Sequence, residues 1–148
     1  MDLKARAVSR VIDGVTYRCW PVPFAAGRPL LVRAMRVMGP AFSAAFEKAD
    51  KPEAAMAAGL GRVTESLEDA DVARFASTFG DASEYEDTET GKTVPLVERN
   101  QSLHFAGRYG AFVAWLIFAM EVNGFDSFFS TLSAEIAELR APETPTSA

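Results

Sequence analysis

The chain has 148 residues, 49% of them hydrophobic and 24% charged, with a formal net charge of −5. That length suits one domain with its own core, and average globular proportions argue against wholesale disorder and against a membrane protein. The 15 basic residues are scattered, so the positive stripe that a phosphate backbone requires is missing and nucleic acid is excluded as an expected partner.

Cys19 is the single cysteine, which leaves no internal disulfide and no zinc ligand set. The N-terminus, MDLKARAVSR, has no apolar stretch behind its charges, and a reducing cytoplasm is the expected compartment.

In chain order, RVIDGVTYRCWPV (10–22) alternates β-branched and aromatic residues around Asp13-Gly14, a dipeptide that tolerates the positive φ angles of a two-residue turn, and predicts a β-hairpin. Val15, Tyr17 and Cys19 share one face, and Thr16, Arg18 and Trp20 the other, with Pro21 and Pro23 ending the pairing. Pro29 suits the first turn of a helix through LLVRAMRVM, and Gly39-Pro40 is expected to stop or kink it before AFSAAFEKA continues as a second piece. Lys51-Pro52 opens an alanine-rich helix weakened by Gly59 and Gly61. Asp69 or Asp71 is the expected cap of DVARFASTFG, which carries Val72, Phe75, Ala76 and Phe79 on one side and ends at Gly80. From Asp81 to Arg99 the acidic, turn-rich text predicts a solvated loop with room for a small hairpin around Thr90-Gly91.

The stretch from Leu103 to Phe129 gathers large aromatics into one expected helix with no charge between Ala111 and Met120. Its apolar run is shorter than the ~20 residues that cross a bilayer core, so no membrane partner is expected. Phe105, Tyr109, Phe112, Leu116 and Ala119 form one stripe; Trp115 and Phe118 point away from it. A helix apolar nearly all round must be covered everywhere, and core packing is the first expectation for any one ring, with an uncovered remainder marking an interaction surface. Asn123-Gly124 ends the helix, and Asp126 is the expected cap of an amphipathic one carrying Phe128, Phe129, Leu132, Ile136 and Leu139. The whole predicts a mainly α (α+β) domain over 1–140, an N-terminal β-hairpin followed by a compact bundle of about five helices from 29 onward, and a disordered tail at 141–148.

Catalytic patterns fail. His104 is the only histidine and lacks a nucleophile and an orienting partner nearby in sequence. TGKT at 90–93 has Glu86 where a phosphate loop needs its first glycine, and Asp81, Glu84, Glu86, Asp87 and Glu89 lack EF-hand spacing. No catalytic residue, metal site or cofactor is expected.

HFAGRYGAFVAWLIFAMEVNGFDSFF resembles the C-terminal signature of tail assembly chaperones of long-tailed bacteriophages, through His104, Phe105, Gly107, Arg108, Trp115, Phe118, Glu121, Val122, Asn123, Phe128 and Phe129. A looser likeness reaches back to W-P-V-P-F and to LLVRAMRVMGPA; the departure is Gly124-Phe125. The resemblance implies a non-enzymatic protein of the host bacterial cytoplasm, absent from the mature virion. Its implied role is to bind and solubilise the tape measure protein until tail tube subunits replace it. A frameshifted longer form would reach the tail tube protein, and self-association stays open. The candidate partner-binding residues are Phe105, Arg108, Tyr109, Phe112, Trp115, Phe118, Phe125, Phe128 and Phe129. Glutamate at Trp115 or Phe118 is expected to abolish partner binding without unfolding the protein. The alternative is a tail-completion or head-tail joining protein retained in the virion.

Overall fold

Two hairpins far apart in the chain join into one antiparallel sheet. The structure, a computed structural model, describes residues 2–48, 68–128, 130, 131 and 134, with the backbone alone over 37–48. After a 3-10 turn at Leu3–Arg6 come β1 (Val8–Ile12) and β2 (Val15–Cys19), and later β3 (Ser83–Glu86) and β4 (Thr93–Pro95), in the sheet order β1-β2-β3-β4.

The first hairpin turns as its sequence dictates. Asp13 and Gly14 have φ of 50° and 77°, the doubly positive pair of a two-residue turn whose twist matches the strands. Val15, Tyr17 and Cys19 are buried and Arg18 is exposed, as alternation requires.

The acidic stretch behaves differently from the solvated loop expected of it. Tyr85, Glu84 and Ser83 pair with Tyr17, Arg18 and Cys19. Glu84 lies on the outer face and is buried beneath two cations, Arg18 Nη1 at 2.7 Å and Lys4 Nζ at 3.2 Å. Cross-strand charge neutralisation is what lets a carboxylate enter the sheet. The small hairpin does form: Asp87 accepts from the Glu89 N–H and the Thr90 hydroxyl, both at 3.1 Å, and Gly91 takes a φ of 69°.

Four helices complete the described chain: α1 (Phe24–Lys48), α2 (Asp69–Gly80), α3 (Glu98–His104) and α4 (Tyr109–Val122). α1 starts five residues before Pro29, with the Pro23 carbonyl accepting from Ala26 and Gly27 at 2.9 and 3.0 Å, so Pro29 lies past the first turn. Gly39-Pro40 does not divide it. Each proline deletes one ladder bond from a 25-residue helix, and the helix resumes beyond it. The N-cap of α2 is Glu68, with no side-chain cap bond; Asp69 and Asp71 occupy the first turn, where carboxylates oppose the positive end of the helix dipole. Asp71 accepts from Arg33 Nε at 2.9 Å, tying α2 to α1.

The aromatic stretch is two helices instead of one, because Gly107 takes a φ of 70° between α3 and α4. After α4, Gly124 (φ 78°) reverses the chain and the backbone is helical again at 125–128, so Asp126 sits inside that turn and does not cap it. The alanine-rich helix expected after Lys51-Pro52, the positions Leu132, Ile136 and Leu139, and the tail at 141–148 lie outside the described residues.

The buried face of the sheet and α4 enclose the core: Tyr17, Phe75, Phe79, Leu96, Trp115, Leu116, Phe118 and Met120 are sealed there. α4 packs on β1 and β2 on one side and on α2 on the other. This is the mainly helical, hairpin-first fold the sequence predicts, with β3 and β4 added to the hairpin.

Candidate partner-binding surface

The uniform apolarity of α4 follows from its place between the sheet and α2. Trp115 shows the fit: its indole N–H donates to Ser83 Oγ at 3.2 Å, and that hydroxyl stands 2.8 Å from the Phe79 carbonyl and 3.2 Å from Cys19 Sγ. The ring lies 5.6 Å from Phe105 and 5.9 Å from Phe112, centroid to centroid. Phe118 is capped by Arg10, whose guanidinium carbon is 4.4 Å from the ring centroid while its Nη2 contacts Glu121 at 2.7 Å. The cation covers the ring's negative face and the carboxylate holds it there.

Of the nine candidate residues, Phe105, Trp115, Phe118 and Phe125 are buried. Arg108, Phe112 and Phe128 are half-buried, and Tyr109 is 77% exposed. Nothing is described of the Phe129 side chain. The eight that are described do not form one outward stripe. Trp115 and Phe118 have no outward surface, so glutamate at either is incompatible with this packing, contrary to the expectation that such changes spare the fold.

His104 and Arg108 belong to a polar aromatic cluster beside this core. His104 Nε2 is 2.7 Å from the Tyr17 hydroxyl, its ring stacks on Tyr85 at 3.8 Å, and Arg108 reaches Asp13 at 3.4 Å. Burial, then the nearby Arg108 charge, lower the His104 pKa, against a smaller opposite pull from Asp87; burial is also the main cause raising Tyr17. Burial pushes the Cys19 thiol up to about 11. Histidine and cysteine are therefore packed groups, and among the described residues no three metal-ligating side chains gather. No described helix is long and apolar enough to cross a membrane.

The open apolar feature lies elsewhere. A groove of about 560 Å³ runs between Pro21–Phe24, the first turns of α1 and the reversal after α4. Asn123 builds its corner: Oδ1 accepts from the Val22 N–H at 2.9 Å and Nδ2 donates to the Ala119 carbonyl at 2.8 Å. Gly27 lets α1 approach closely, since a Cβ there would stand 3.0 Å from Val22 Cγ2. Phe24, 77% exposed, stands at the rim, and half-buried Leu31 and Phe128 line the walls with Arg6 and Arg28. Sequence reasoning named Phe125 and Phe128 but missed Phe24, Leu31, Arg6 and Arg28. The available signal was that W-P-V-P-F and E-V-N both carry the family likeness; they are neighbours in space.

The described residues present apolar surface at the groove and at the exposed Leu103, Tyr109 and Val113. The family model for phage tail assembly chaperone protein, TAC, matches residues 13–135, and the chain belongs to that family. No curated protein and no solved structure matches it.

Proposed function

We propose that this phage tail assembly chaperone acts without catalysis, binding the tape measure protein and holding it soluble in the host bacterial cytoplasm until tail tube subunits replace it. Membership of the chaperone family over residues 13–135 is the observation that carries the reading. The physics agrees with the task. A tape measure chain bears apolar helical stripes before assembly, and a binder that covers them while contributing a net charge of −5 keeps the complex dispersed. Tyr109, Phe112, Arg108 and Phe128 are the candidate residues with surface to offer, and a frameshifted longer form would add contact with the tail tube protein.

The test is co-expression with the tape measure protein of the phage or prophage that encodes this chain. A soluble complex of the two is expected, together with absence of the chaperone from purified particles by mass spectrometry. An insoluble tape measure protein beside well-folded chaperone defeats the reading.

A further inference from the structure

We infer that the groove between Pro21–Phe24, α1 and the Asn123-Gly124 reversal is a docking site for an amphipathic helix of the partner whose apolar stripe is flanked by carboxylates. The inference rests on the chaperone reading and gives that reading a place and a charge rule.

The lining chooses the occupant. Its floor and walls are aliphatic and aromatic, from Val22, Leu31, Val122, Phe125 and Phe128, which suits leucine-sized anchors at i, i+3, i+4 and i+7 of a helix. Among the described residues its charged lining is Arg6 and Arg28, with no carboxylate, although the chain has 20 acidic residues against 15 basic ones. Among the described residues Arg6 and Arg28 make no ion pair, as is also true of Arg36, Arg74, Lys92 and Arg99, but these two alone line the groove. Two uncompensated guanidiniums beside apolar surface attract acidic flanks and repel basic ones, more strongly there than in open water. Steric room agrees at the reversal: Gly124 presents no side chain, and a Cβ there would meet nothing within 4 Å. A helix seated there covers the exposed Phe24 ring.

The full chain is titrated with two labelled helical peptides that share leucines at i, i+3, i+4 and i+7, one flanked by glutamates and one by lysines. At low ionic strength the glutamate peptide is expected to bind at least ~10-fold more tightly, and the preference shrinks near 1 M salt, where charges are screened within about 3 Å. Arg6→Glu with Arg28→Glu reverses the order of the peptides, and Phe24→Ser weakens both several-fold. These side chains are exposed, so the urea midpoint stays in place; Arg6→Gln with Arg28→Gln, which loses the preference, replaces any reversal variant that does not fold. No binding by the folded chain, equal binding of both peptides, or indifference to the Phe24 and arginine changes overturns the inference. So does self-association abolished by Phe24→Ser, which would make a second copy the occupant. Co-expression with the tape measure protein separates the two readings. Variants that keep it soluble as well as wild type remove this site and leave the chaperone role standing, while failure of the wild type removes the role itself.

Discussion

Trp115 decides how much of the aromatic helix belongs to the fold. Its side chain is fully buried, its indole N–H donates to Ser83 Oγ at 3.2 Å, and Phe105 and Phe112 flank it at 5.6 and 5.9 Å. Trp115→Phe keeps a ring but removes the donor, a loss of about 1 kcal/mol, moderated because Ser83 still has the Phe79 carbonyl as acceptor. Trp115→Ala removes the ring and leaves a cavity, costing about 3–5 kcal/mol. Against a total stability of about 5–15 kcal/mol, that leaves little or modest margin. Trp115→Glu adds an unpaired carboxylate in the same space, several kcal/mol more, and leaves the protein largely unfolded. Urea denaturation followed by far-UV circular dichroism ranks the variants, since each removes one of the two tryptophans and leaves the fluorescence to Trp20 alone. Midpoints should fall in the order wild type, Phe, Ala, with no native baseline for Glu. A Trp115→Glu protein with the wild-type midpoint would show that the ring is not sealed and would return it to the partner surface.

Gly80→Ala pits helix propensity against a close approach. Alanine should gain up to about 1 kcal/mol at a helical site, yet its Cβ would collide with the Gln101 amide and the Leu96 carbonyl. Gln101 donates to Ala76 O at 2.9 Å and Leu96 O at 2.7 Å, and displacing a buried amide with two such bonds costs more than the propensity gain. The variant should lose about 2 kcal/mol, and thermal melting should fall by several degrees; a rise would refute the packing argument. His104 should make the fold acid-sensitive. Its folded pKa lies below the ordinary 6.5, so the unfolded chain takes up the proton first, and stability drops as pH falls below about 6.5 and is unaffected above it. In His104→Gln that segment of the stability profile should flatten. Cys19, with its thiol raised to about 11 and buried, should resist a thiol-specific reagent in buffer and react at once in concentrated urea.

Local rules carried the hairpin turn at Asp13-Gly14, the inward face of Val15, Tyr17 and Cys19, and the apolar side of α2, because each depends on neighbours in sequence. They missed β3 as an interior strand, because Ser-Glu-Tyr-Glu becomes one only when Arg18 and Lys4 neutralise Glu84 across the sheet. They joined α3 and α4, because the break turns on the single positive φ of Gly107. The candidate site was legible as composition and not as position. Aromatic content alone does not say that the sheet and α2 cover Trp115 and Phe118, nor that Phe24, far from them in the chain, stands uncovered beside Phe128.

The corner built by Asn123 also sets a timetable for synthesis. Its carboxamide reaches Val22 across 101 positions, and Tyr17 waits 87 positions for His104. A nascent hairpin therefore leaves the ribosome before α4, the helix that packs on both of its strands, has been translated. Completion of the last third of the chain is what ends that exposure.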